Sequence, residues 1–290
     1  GQSMRKPTFT QCSLFRRVVT LMLLASAHAS LAEQLQTVTA LDVDYLPGID
    51  YADGKDQLDI YMPLGKANAP VVVYYHGGGL LYGDKSLGQV VAKRLVAQGV
   101  GLVAANYRLS PGVMHPAHVQ DAAAATAWVY NNIARYGGDP TRLFVSGHSA
   151  GAYLAALLAL DPQHLKKHDM HLTDIRGAIP ISPFLYVEET ARERPKTVWG
   201  EAPLDWLAAS VTPHIAAGKP PMLLIYADGD DGWRRAQNEQ LARELTMVGN
   251  AHVRAIELPN RDHRSLIGEI NAKDDQIGAL VAAFIGKHAP

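Results

Sequence analysis

Cysteine is almost missing from this 290-residue chain, which carries one, Cys12. No intrachain disulfide can form, and a zinc site built on clustered cysteines is excluded. No sign of charge dominates either. Against 28 acidic residues stand 27 basic ones, for a formal net charge of −1. With no basic surplus to hold a phosphate backbone, nucleic acid is not an expected partner. No G-x-G-x-x-G opens a helix after a strand and no G-K-[ST] is present, so neither a dinucleotide nor a phosphate loop is expected. Internal repeats, low-complexity tracts and linkers are also absent.

What is present is an ordinary globular composition, 48% hydrophobic and 19% charged, which excludes disordered and collagen-like chains. Residues 1–32 read as a secretory leader. Met4 looks like the natural start, with Gly1-Gln2-Ser3 ahead of it. Arg5, Lys6, Arg16 and Arg17 form a basic stretch, and Val18 to Ala27 is apolar. Ala27-His28-Ala29 and Ser30-Leu31-Ala32 both suit cleavage. That apolar run is well short of the roughly 20 residues a membrane span needs. Cys12 precedes the apolar run and does not end it, so a lipoprotein is not expected. Cleavage would leave 23 basic and 28 acidic residues, no cysteine, and no membrane attachment. The expected location is the periplasm or the medium. Residues 33–290 are then long enough to fold on one core as a single domain.

Along that domain, β-branched apolar runs alternate with helical patterns. Val71 to Tyr75, Val100 to Asn106, Arg142 to Ser146, Ile175 to Ile181, Met222 to Tyr226 and His252 to Leu258 read as strands. Residues 86–98, 117–135, 150–160, 234–247 and 274–287 read as helices. Gly137-Gly138-Asp139-Pro140 reads as the close of the second helix. The alternation predicts an α/β fold, a mostly parallel sheet with helices on both faces. Residues 183–219 contain Pro183, Pro195, Pro203 and Pro213, and are expected to form a small irregular insertion over the functional site. Trp199, Trp206 and Trp233 are expected in the core.

Four segments carry chemistry. Gly147-His148-Ser149-Ala150-Gly151 follows a strand and opens a helix, the context in which such a turn exposes a nucleophilic serine. The helix starting at Ala150 points its positive end at charge formed on attack. His76-Gly77-Gly78-Gly79 follows the first strand. Its glycines free backbone N–H groups, so Gly78, Gly79 and Ala150 are the expected donors to an oxyanion. His76 is expected to be structural. Asp228, Asp230 and Asp231 follow a later strand, where the chain order Ser…Asp…His requires an acid. His263 lies past the last predicted strand and is singled out from 12 histidines by that order.

In these segments the chain resembles the α/β-hydrolase fold family, in its esterase and lipase group with an HGGG oxyanion loop. Tyr82-Gly83-Asp84-Lys85, Asn106-Tyr107-Arg108-Leu109-Ser110-Pro111 and Gly137-Gly138-Asp139-Pro140 are similar to the hormone-sensitive-lipase, kynurenine-formamidase and feruloyl-esterase-like branches. Two positions depart from those branches. Leu80 stands where an aromatic residue often follows HGGG, and His148 stands where hormone-sensitive-lipase relatives often have aspartate. The resemblance implies Asp230 as the acid, three residues past Ala227 and seven before Gln237. It implies hydrolysis of small to medium carboxylic esters through Ser149, Asp230 and His263, with no cofactor and no metal. Arylformamidase activity and removal of acetyl or feruloyl groups from polysaccharide are the alternatives.

Overall fold

The computed structural model describes residues 39–289. The leader read at residues 1–32, Cys12 included, lies outside them. Eight strands build one sheet: β1 (Ala40–Asp44), β2 (Gln57–Tyr61), β3 (Ala69–Tyr75), β4 (Gly101–Ala105), β5 (Gly138–His148), β6 (Gly177–Ile181), β7 (Met222–Ala227) and β8 (Val253–Leu258). Their spatial order is β1-β2-β4-β3-β5-β6-β7-β8. β1 and β2 run antiparallel to their neighbours, and all pairs from β4 to β8 are parallel. This is the α/β-hydrolase fold.

Five longer helices cover the sheet: α1 (Gln89–Val96), α2 (Ala117–Asn132), α3 (Ala150–Leu160), α4 (Gly232–Met247) and α5 (Ile277–His288). Apolar residues of α2, α3 and α4 share one core with one face of the sheet. Val91, Ala92 and Leu95 of α1 and Ile277, Val281 and Ile285 of α5 share a second core with the other. Every residue of β3 and every residue of α3 is buried. That explains why both read as unbroken apolar runs with no polar face. None of the described helices is long and apolar enough to cross a membrane.

The chain order places the site. From β3 the chain crosses to β4 on one side, then returns to β5 on the other. A crevice forms outside the carboxyl ends of strands where the order reverses. The loop after β3 begins with His76, and the turn after β5 holds Ser149, so both open into that crevice.

The six strands and five helices expected from sequence are all present, with ends moved by a few residues. Gly137 caps the 3-10 turn Ile133–Tyr136 that continues α2, in the left-handed region at φ 90°. Gly138 already belongs to β5. No strand was expected at β1 or β2: each has five residues, and Asp42, Asp44, Gln57 and Asp59 interrupt any apolar run. Asp59 is nonetheless buried because Lys85 Nζ lies 2.8 Å from it.

Residues 183–219 form short helices at Val187–Thr190, Lys196–Trp199 and Pro203–Ala209. Trp199 is buried there against Tyr153 and Phe184, and Trp206 is partly buried. Trp233 departs from expectation. It is 38% exposed, in the first turn of α4, with its ring against the guanidiniums of Arg194 and Arg234.

Candidate active site

Ser149 joins the end of β5 to the start of α3 with φ 55° and ψ −115°. Such a backbone costs on the order of 1–3 kcal/mol and persists only where its surroundings impose it. Here they do. A Cβ on Gly147 would lie 2.4 Å from the carbonyl carbon of Gly151, and one on Gly151 would lie 1.9 Å from the oxygen of Tyr75. The Ser149 N–H donates to the carbonyl of Ile181 at 2.9 Å. The turn is thus pinned between β3 and β6, with the serine side chain at its outer edge.

His263 reaches back from the loop after β8. Its Nε2 lies 2.9 Å from Ser149 Oγ, and its Nδ1 lies 2.8 Å from Asp230 Oδ1. The side chain of Asp230 is fully buried, whereas that of His263 is 32% exposed. The imidazole therefore spans from a dry carboxylate to a solvent-reachable hydroxyl. Burial alone would raise the Asp230 carboxyl. Hydrogen bonds from His263, the Ala227 N–H and the Ser182 hydroxyl outweigh it and hold the group below its ordinary value.

Of the three candidate acids, only Asp230 touches His263. Asp228 accepts from the N–H groups of Asn260 and Arg261, and so shapes the loop that delivers the histidine. Asp231 is exposed and precedes α4.

Three neighbours of this chain of hydrogen bonds were not expected from sequence as members of the site. Ser182, just past β6 at φ 52°, donates to Asp230 Oδ2 at 2.8 Å, and its oxygen sits 2.9 Å from His263 Nδ1. Arg234 Nη1 donates to the Ser182 carbonyl at 3.0 Å. His148 Nε2 lies 2.6 Å from the carbonyl oxygen of His263. Burial and the adjacent His263 push the His148 imidazole down to about 3. It is neutral near pH 7, and the carbonyl requires that its proton be on Nε2. Ser182 and Arg234 lie in no motif, and His148 lies inside the elbow pattern at a position whose partner, the His263 carbonyl, is 115 residues away.

The loop after β3 supplies the other wall. Gly78 has φ 123°, and a Cβ there would lie 2.0 Å from the Tyr82 oxygen. The Gly78 carbonyl accepts from the N–H groups of Leu81 and Tyr82, closing a tight turn. Among the described residues, the N–H groups of Gly78 and Gly79 donate to no carbonyl in this loop. Gly77 leans on the elbow, its virtual Cβ 3.3 Å from that of Ser149. Leu80 turns away, fully buried in the core.

His76 holds the loop from below, as expected of a structural residue. Its Nδ1–H donates to the Gly77 carbonyl at 2.7 Å, and its ring stacks on Tyr107 with centroids 4.5 Å apart. Burial pushes it down to about 4. At the far end of the loop, Lys85 bridges Asp42 of β1 at 2.6 Å and Asp59 of β2 at 2.8 Å. Its N–H donates to Asn106 Oδ1. No group of three or more His, Cys, Asp or Glu among the described residues is placed to hold a metal ion.

The BD-FAE family profile matches residues 58–245, a span running from β2 to α4 that includes Ser149 and Asp230. The chain belongs to the BD-FAE family. This BD-FAE chain is 31% identical over 270 residues to the esterase LipQ of Mycobacterium tuberculosis, a match covering 84% of the chain and 61% of LipQ. It thus spans about three-fifths of that curated relative. Among solved structures, an esterase of the archaeon Pyrobaculum calidifontis is similar at 26% identity and TM-score 0.66, over 80% of this chain and 81% of that one. A carbohydrate esterase from gut microbiota shares the fold at TM-score 0.75 and 19% identity, over 87% and 97%.

Proposed function

We propose that the protein hydrolyses carboxylic esters of small to medium size through an acyl-enzyme, with Ser149 as nucleophile. The observation that carries this reading is the unbroken path Ser149–His263–Asp230, with spacings of 2.9 and 2.8 Å. Membership of the BD-FAE family and likeness to named esterases support it.

In the proposed reaction, Ser149 Oγ attacks the ester carbonyl carbon while His263 Nε2 takes its proton. Asp230 holds Nδ1–H, which fixes the tautomer and stabilises the imidazolium. The carbonyl oxygen becomes an oxyanion and accepts from the N–H groups of Gly78, Gly79 and Ala150. Each such donor is worth about 3 kcal/mol in the transition state. Collapse of the tetrahedral intermediate breaks the bond to the leaving oxygen, which takes the proton from His263. A water molecule then attacks the acyl carbon, gives its proton to His263, and releases the acid as the proton returns to Ser149.

The test is turnover of short-chain nitrophenyl esters together with covalent labelling by an organophosphonate. Wild-type protein is expected to hydrolyse the esters and to be labelled once, at Ser149. Ser149→Ala should fold normally, take no label and show background rates. A labelled residue elsewhere, or ester turnover surviving in Ser149→Ala, sinks the reading. Export to the periplasm or medium is proposed on the leader pattern of residues 1–32 alone. Amino-terminal sequencing of the protein recovered from those fractions tests it, with cleavage expected after Ala29 or Ala32.

A further inference from the structure

Arg194 lies in the segment between β6 and β7, directly after the turn Ala191–Glu193. Its guanidinium carbon is 4.0 Å from the centroid of Phe184 and 5.4 Å from that of Trp233. Arg234 approaches the same indole at 4.7 Å. Two guanidiniums therefore share one aromatic ring whose outer side meets solvent.

The two are not equivalent. Arg234 Nε is 3.8 Å from Asp230 Oδ1, and its Nη1 holds the Ser182 carbonyl. Other cations that are mostly withdrawn from water are also matched: Lys85 by Asp42 and Asp59, Arg94 by Asp275, Arg108 by Asp121. Among the described residues, Arg194 has no ion pair and no side-chain hydrogen bond. Burial and the like charge of Arg234 push it down to about 10, and no carboxylate acts against them. It is still charged at neutral pH. A cation drawn out of water without a counter-ion is costly. Such costs are characteristic of sites that meet a charged ligand.

Its surroundings lead to the reacting centre from two sides. Phe184, beneath Arg194, stacks on Tyr153 with centroids 4.8 Å apart. The Tyr153 N–H donates to the carbonyl of Ser149. On the other side Trp233 leads to Arg234, which touches Asp230. Arg194 thus sits in the irregular segment, linked through Phe184 and Tyr153 to Ser149 and through Trp233 and Arg234 to Asp230.

We propose that Arg194, with Trp233 as an apolar floor, binds a free carboxylate on the substrate, so that the preferred esters are monoesters of dicarboxylic acids. This rests on the ester-hydrolase reading above and narrows its substrate class. The planar guanidinium offers a two-pronged match to a carboxylate, and the aromatic faces keep competing water away. A neutral ester would leave the same cation unpaired.

The test compares nitrophenyl monoesters of succinate, glutarate, adipate and suberate with neutral nitrophenyl esters of equal length. At its best length the acidic ester is expected to have the larger kcat/KM. In Arg194→Gln the ratio of acidic to neutral kcat/KM should fall by about tenfold or more, the scale of a lost charge-assisted hydrogen bond. Arg194→Lys should fall between. An equal loss on both ester types, or wild-type preference for the neutral ester at every length, overturns the proposal. Turnover of the neutral esters reports separately on the ester-hydrolase reading. Calorimetry with Ser149→Ala and monomethyl glutarate decides the matter without turnover. Saturable binding that Arg194→Gln abolishes supports the subsite. Absent binding, or binding that Arg194→Gln leaves unaltered, overturns it.

Discussion

His148 Nε2–H donates across 2.6 Å to the main-chain carbonyl of His263, and the two rings lie 4.7 Å apart. The residue before the proposed nucleophile thus anchors the loop that carries its proposed base. Two segments 115 residues apart are locked where their alignment matters most.

His148→Ala removes that anchor and leaves every group of the proposed reaction in place. It is expected to lower kcat by about tenfold, as one strong buried hydrogen bond is lost, with KM little changed. Steady-state kinetics beside a thermal melt check this. A fall in stability with unchanged kcat would make His148 purely structural.

Asp230 and Asp231 are adjacent in sequence and opposite in setting. Asp230→Asn offers His263 Nδ1 an amide where it needs an anion, and kcat is expected to drop on the order of 10⁴-fold. Asp231→Asn, in an exposed side chain, should change kcat by less than about twofold. Parallel assays of the two variants decide the assignment, and the reverse order overturns it.

Ser182→Ala deletes a donor to the Asp230 carboxylate. The Asp230 carboxylate then loses one of the hydrogen bonds that hold it below its ordinary value, and kcat is expected to fall by about tenfold with KM little changed, read by steady-state kinetics beside a thermal melt. A fall in stability with unchanged kcat would reduce Ser182 to packing.

His76 and His148 set a pH window for stability. Burial holds them at about 4 and about 3, below their ordinary value of 6.5. The unfolded chain therefore binds these protons first, and stability is full above 6.5 and declines as pH falls toward 4. Within that window each ring costs about 1.4 kcal/mol per pH unit. Asp230, also held low, adds its own loss only below 3.8. Melting temperature should fall between pH 6.5 and 4, and His76→Asn should flatten the fall. A flat wild-type profile contradicts this.

The parallel core was legible because its residues declare themselves locally. β3 and α3 are apolar and buried throughout, β5 is buried from Leu143 to Gly147, and a Cβ on either elbow glycine, 147 or 151, would meet the Tyr75 carbonyl oxygen. The elbow pattern marks Ser149 and chain order marks His263, whereas chain order leaves three acids open and the family resemblance singles out Asp230. Less was legible where a residue's role depends on a distant partner. Asp59 looks like a surface acid until Lys85 is placed beside it. Ser182, Arg194 and Arg234 acquire meaning only when the segment after β6 folds back over α4. Trp233 reads as core by composition, and only its position in the first turn of α4 leaves it in solvent.

Lys85 ties the two outermost strands to the loop that begins at His76. Asp42 belongs to β1 at the sheet's rim, the part of such a structure that frays first. Loosening the rim releases the cation, and with it the far end of the glycine turn. Mild heating or salt that frees the rim should therefore loosen the turn that holds Gly78 and Gly79 while the bulk of the protein still registers as folded. The periphery sets the working limit of the centre.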